Sequence, residues 1–182
     1  MRLSLRAVLV SLVAFVAIGG AISGLLGATP AHNKPPKPTW FAIAQGSCSA
    51  GSNGGVSEFI DFGSGKKVKS FCTFKFSGSG WDLLTSAAKV EGTSEFPTGF
   101  VCRIDGWPTP EAQDCKNTPT YAEGSWAYFL SNNAGGWGFS GTGSGMHHPA
   151  CGTSEAWVWV AGGNDPTQAM PSVEPAVFNC AG

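Results

Sequence analysis

Residues 54–92 read GGVSEFIDFGSGKKVKSFCTFKFSGSGWDLLTSAAKVEG, and the order of periods inside this stretch decides the fold. GGVSEFIDFG (54–63) repeats at period two, with Val56, Glu58, Ile60 and Phe62 on one face. Ser64-Gly65 marks a turn, and VKSFCTFKF (68–76) alternates again: Val68, Ser70, Cys72, Phe74 and Phe76 share a face, opposite Lys69 and Lys75. The pair predicts a hairpin. After SGSG the period changes to that of a helix, with Trp81, Leu84 and Ala88 on one stripe. Ser79 suits the N-cap, Asp82 the positive end of the helix dipole, and Gly92 a left-handed stop.

Downstream, FVCRIDG (100–106), GSWAYFL (124–130), WGFSG (137–141) and SEAWVWV (154–160) read as strands between Gly, Pro and Asn turns. Two strands, one helix and then mostly strands predict an α+β domain: a small mixed sheet with one helix packed across it. The last stretch, 161–182, is interrupted by proline and glycine and would fray unless tied down.

Upstream, Arg2 and Arg6 precede an apolar run, Ala7 to Leu26, and small residues follow to Ala31. This is the layout of a secretory signal peptide over 1–31, with cleavage after Ala31 or, alternatively, Ala28. The run is also about 20 residues long, so a retained membrane anchor is the competing reading. HNKPPKP makes 32–39 a proline-rich spacer and leaves 40–182 as one domain with an irregular C-terminal tail. The processed chain would carry 9 basic and 12 acidic residues and no basic stripe, which argues against nucleic acid as a partner. The one cluster, Lys66-Lys67-Lys69, reads as a solvated hairpin end. An exported protein, extracellular or associated with the cell envelope, keeps its cysteines oxidised, so six of them predict three disulfides. Six allow 15 pairings, and none is spaced as a CxxC zinc or redox motif.

Catalytic patterns are weak. No G-x-S-x-G occurs, and Ser144, three residues before His147, sits in a glycine-rich turn. Glu91, Glu95, Asp105 and Glu155 could serve a glycosidase only if two of them met across a cleft, and the sequence pairs none. Met146-His147-His148-Pro149 offers soft and imidazole ligands, but adjacent histidines diverge and no third ligand follows, so no metal site and no cofactor are expected. Arg103 and Asp105 share a strand face and predict an ion pair or turn contacts at its edge.

The informative excess is aromatic: seven tryptophans in 182 residues. Trp126 and Tyr128 share one face of their strand, and Trp157 and Trp159 one face of theirs, opposite Ala156 and Val158. These rings either fill a small core or form a platform for a ring-bearing or sugar ligand. Trp107, Trp126, Tyr128, Trp137, Trp157 and Trp159 are the candidate ligand-binding residues, and since both faces of the last strand cannot be exposed, one tryptophan face is a candidate surface.

Taken in order, GFVCRIDGWPT (99–109), DCKNTP (114–119), SWAYF (125–129), GGWGFSG (135–141) and SEAWVW (154–159) resemble secreted actinobacterial proteins with a transcobalamin-like C-terminal domain, of the soluble-ligand-binding β-grasp superfamily. The resemblance covers roughly 45–161 and implies a β-grasp fold, no catalytic machinery, and recognition of a bulky cofactor-like small molecule such as a corrinoid. A cell-surface protein or glycan partner is the alternative, and a hydrolase the third reading. The chain departs from the family pattern at Ala156, where glycine is usual, at Phe129, where a second tryptophan is usual, and in carrying Cys151 and Cys180.

Three bonds are expected. Cys102–Cys115 staples a loop of Pro, Asp, Asn and Thr that could not otherwise hold its shape, worth roughly 3 kcal/mol. Cys48–Cys72 follows from hairpin pairing. Cys151 and Cys180, which look additional to the family pattern, remain to fasten the tail.

Overall fold

The computed structural model describes residues 42–52, 55–63, 65–132 and 134–180, all within one compact unit, Lys37–Gly182. The signal peptide and spacer read at 1–31 and 32–39 lie outside the described residues. In chain order the elements are β1 (Ala42–Gln45), β2 (Val56–Asp61), β3 (Lys69–Phe74), α1 (Gly80–Ala87), β4 (Val90–Gly92), β5 (Val101–Ile104), β6 (Gly124–Ser131), β7 (Trp137–Phe139) and β8 (Ser154–Ala161), with a 3-10 turn at Ser144–Met146. The domain is α+β: mostly sheet, one α-helix and three disulfides.

Six strands form one sheet in the order β1-β3-β2-β8-β6-β7, and β4 and β5 form a separate ribbon. The expected hairpin is β2–β3, pairing Val56 with Thr73 and Glu58 with Phe71. β2 pairs in parallel with β8 at the sheet centre, and the other strand pairs are antiparallel. All six residues of β2 are buried, because a central strand covered on both faces has no solvent side for its polar residues. β1, which the sequence reading missed, is an exposed edge strand. Cys48 follows it, and bonds to Cys72 of β3.

The helix starts as expected. The Ser79 hydroxyl accepts from the Asp82 amide at 3.3 Å, and the Asp82 carboxylate accepts from the Ser79 amide at 2.9 Å, a reciprocal capping box. Its end differs from the expectation. The helix stops at Ala87, Ala88 is already extended, and Gly92 lies inside β4. Gly92 is required there by close approach, since a β-carbon would run into the Pro97 carbonyl.

The two faces of the sheet are both covered. Under α1 and β5 lie Ile60, Leu84, Val101, Trp126, Tyr128 and Trp157. On the other face Phe59, Phe129, Ala156 and Val158 pack beneath the C-terminal tail, through Ala169, Val173 and Ala176. The tail is tied by Cys151–Cys180 and by the Ser154 hydroxyl, which donates to the Ala176 carbonyl at 2.6 Å. The expectation of an exposed tryptophan face is therefore corrected. Trp126 and Trp157 are buried and Trp159 is half-buried, since the helix closes over their side of the sheet.

Cys102–Cys115 is formed, and its loop is pinned a second time by Arg103. The buried guanidinium donates to the Pro108 and Gln113 carbonyls, each at 2.6 Å, and pairs with Glu91 opposite it on β4. Asp105 is not its partner. It sits past the strand end in a left-handed conformation (φ 48°), where its carboxylate accepts from the Lys69 ammonium and the Lys89 amide, both at 2.8 Å.

Candidate functional site

Antiparallel pairing of β6 with β8 sets Tyr128 opposite Trp157 and Trp126 opposite Trp159, so the two aromatic pairs the sequence picks out share one face. Tyr128 and Trp157 stack with centroids 4.8 Å apart, and Trp126 meets Trp159 edge-on at 5.7 Å. Three of these rings, Trp126, Tyr128 and Trp157, reach the floor of a concavity of about 330 Å³. Its walls are Phe100, Phe139 and the turn 140–144, with Pro166 at one side.

The wall is built by local chemistry. The Ser140 amide donates to the Tyr128 carbonyl at 2.9 Å, and the Ser140 hydroxyl donates to the Thr142 carbonyl at 2.8 Å. Buried Ser144 lines the cavity and opens the 3-10 turn. Near the cavity, Phe139 is 41 % exposed on the tail side of the edge strand, and Met146, two residues beyond Ser144, is 80 % exposed.

The other two candidates lie elsewhere. Trp107 is half-buried beneath the Lys66 ammonium, 3.1 Å from its ring centroid, in a concavity it shares with Phe62 and Lys69. Trp137 belongs to the tail side of the sheet, edge-on to Phe59 at 5.8 Å, and donates its indole N–H to the Val173 carbonyl at 2.6 Å. Trp159 supports Trp126 but does not line the cavity.

Behind the aromatic floor is a cluster that sequence reasoning missed. The parallel register of β2 and β8 sets Glu58 beside Glu155, both with no exposed surface. The Tyr128 hydroxyl and the Glu155 carboxylate converge on Gly80, the first residue of α1. A β-carbon there would collide with the hydroxyl and lie 2.7 Å from Glu155 Oε2. His147 Nε2 stands 3.3 Å from Glu155 Oε1, and the Gly80 amide donates to the His147 carbonyl at 2.9 Å. Among the described residues, the four carboxylate oxygens and the Tyr128 hydroxyl have no hydrogen-bond partner.

Burial in a dry face governs the electrostatics. Desolvation drives the Glu58 carboxyl well above its usual range, and the neighbouring Glu155 charge adds to it. Desolvation pushes Glu155 up to about 8, against a smaller lowering by the Tyr128 hydroxyl. The Tyr128 phenol is raised by burial and then by Glu155, and His147 is lowered by burial and then by His148. The cluster is thus an arrangement of neutral acids beside a neutral imidazole. Neither carboxyl lines the cavity, so neither can touch a molecule held there.

Glu155 was a weak acid candidate on sequence, and Glu58 read as one residue of an alternating strand. The signal that would have joined them, the parallel pairing of β2 with β8, is long-range. Among the described residues no group of three or more His, Cys, Asp or Glu side chains could hold a metal ion. No family model, no curated protein and no solved structure matches the chain.

Proposed function

We propose that the chain is a secreted, non-catalytic binding module of β-grasp type that holds a planar, ring-bearing small molecule over Trp126, Tyr128 and Trp157. The observation that carries this reading is the concavity of about 330 Å³ with an aromatic floor and Phe100 in its wall. Pockets of about 300 to 1,000 Å³, mostly apolar with a few polar groups, are what small organic ligands occupy. The β-grasp assignment is supported by the order hairpin, helix, then strands that return the last one, β8, parallel to the first strand of the hairpin. Three disulfides favour an oxidising, extracellular setting, and among the described residues no helix is long and apolar enough to cross a membrane.

A corrinoid is larger than this cavity, so on this reading only part of it is enclosed, and flavin-sized rings fit better. The non-catalytic reading is supported by the placement of the acids: a glycosidase needs two carboxyl groups facing its substrate, and Glu58 and Glu155 are sealed behind the floor. A protein or glycan partner is favoured by one feature, the exposure of Phe139 and Met146.

Isothermal calorimetry with riboflavin, protoporphyrin, cobalamin and soluble cell-wall polysaccharide tests the proposal. One ring compound binding at micromolar levels supports it. Binding of polysaccharide alone moves the function to the envelope, and no binding by any of the four rejects the cavity as a ligand site.

A further inference from the structure

The buried acids behind the cavity are placed so that they cannot both carry charge. Glu58 and Glu155 sit at paired positions of adjacent strands, on strands about 4.8 Å apart, and among the described residues no Lys or Arg pairs with either of them. β3 contributes Thr73, uncharged and fully buried, on the same face. β6 contributes the Tyr128 hydroxyl, α1 the backbone of Gly80, and the loop after the 3-10 turn contributes His147, with His148 next to it. With both protonated the pair is neutral, and after one proton is lost the two carboxyls share the proton that remains. His147, its side chain 30 % exposed, is the most exposed member of the cluster.

The same groups hold up the cavity. Tyr128 supplies its floor and points its hydroxyl at Glu155. Ser144 supplies its wall and is three residues from His147. We propose that Glu58, Glu155, Tyr128 and His147 form a proton-held latch: while the carboxyl pair keeps both protons, Tyr128 and the 139–147 loop stay seated, and when the first of them leaves through His147 the aromatic cavity opens and loses its hold on a ring. The latch itself stands on the cluster; only its effect on a ligand rests on the binding function proposed above.

The charge that develops on proton loss cannot be accommodated in a dry site, so the site hydrates by moving its cheapest cover. That cover is the loop carrying His147, held at the start of α1 by the Gly80 amide on the His147 carbonyl and by His148 Nδ1 against the Gly78 carbonyl at 3.0 Å. Glutamine at both positions mimics the protonated pair at every pH.

The test begins without ligand. Near-ultraviolet circular dichroism and tryptophan fluorescence of the full chain, from about pH 6 to about pH 10, should show one reversible one-proton transition. Its midpoint should fall near about 8. The double variant Glu58→Gln, Glu155→Gln should keep the low-pH spectrum throughout. Should that variant not fold, infrared spectroscopy of the unaltered protein reads the same event, as loss of the carbonyl band of a protonated carboxylic acid over the same range. A flat wild-type titration, a transition that survives in the double variant, or the absence of that band at neutral pH each overturns the latch. With riboflavin as the probe, affinity should fall about tenfold for one pH unit above the midpoint. A transition without riboflavin binding leaves the latch standing and counts against the ligand reading. Binding of riboflavin with equal affinity on both sides of the range removes the latch and leaves the ligand reading.

Discussion

Asp61, the last residue of β2, accepts two hydrogen bonds on one oxygen from Ser172 in the tail: 2.9 Å from the amide and 2.6 Å from the hydroxyl. Its other oxygen accepts from the Gly63 amide at 2.9 Å. The central strand of the sheet is thereby bonded to the segment that covers its far face. A buried carboxylate with three short donors contributes more than an ordinary hydrogen bond, about 1.5 to 3 kcal/mol for each charged contact before desolvation is deducted. Asp61→Ala should lower stability by about 2 kcal/mol in chemical denaturation and admit proteolytic cleavage within 162–180. A variant as protease-resistant as the parent would show that the disulfide alone holds the tail.

Gly152 makes the second test of the tail. It is left-handed (φ 79°), and a β-carbon would collide with the Phe178 carbonyl, whose own amide donates to Gly152 at 3.1 Å. Gly152→Ala combines backbone strain with a clash against main chain, and should cost about 2 to 3 kcal/mol. Cleavage should then concentrate in the tail while the far-ultraviolet spectrum of the sheet persists. A melting temperature equal to wild type would mean that the tail relocates freely.

The ligand site needs a variant that spares the core. Trp157 is buried and stacked on Tyr128, so Trp157→Ala should cost about 3 to 5 kcal/mol and confound any binding measurement. Phe100, half-buried and lining the cavity from just before β5, is the better probe. Phe100→Ala should weaken riboflavin binding about tenfold, with a stability loss below about 1.5 kcal/mol. Unchanged affinity would place the ligand away from this wall.

Stability should depend on pH in the opposite sense to most acid-labile proteins. Glu58 and Glu155 hold their protons more tightly folded than unfolded. The unfolded chain therefore loses them first as pH rises above about 4.5, and folding weakens from there to about 8, by at most about 1.4 kcal/mol per pH unit for each proton. Below that window both states are protonated and the pair adds no slope. Glu155→Gln should flatten the profile of denaturation midpoints between about pH 5 and about pH 8. A wild-type profile that rises over this range would contradict the buried neutral pair.

Local chemistry made much of the domain legible. Period two in 56–62 and 68–76, the Ser79–Asp82 cap and the strands at 101–104, 124–131 and 154–161 each follow from residues adjacent in the chain. Errors arose where a distant partner took over. Gly92 was read as a helix stop, yet pairing with β5 drew 90–92 into a strand. Arg103 was matched to Asp105 by spacing, whereas the ladder puts Glu91 opposite it. The aromatic pairs at 126/128 and 157/159 were found, but not their burial, because covering them depends on where α1 lands. Glu58 and Glu155 could not be joined at all without the parallel register of the sheet centre.

That parallel register also governs when the domain can come into being. β2 waits for a neighbour about a hundred positions later in the chain, so its central ladder stays open until β8 has been delivered, and most of the loop-closure entropy must be overcome before the contacts reward it. A chain threaded through a membrane from its N-terminus cannot complete this sheet en route. On the proposed export route the chain would therefore cross unfolded, with its cysteines still reduced, and the oxidising side would receive strand, thiol and tail together.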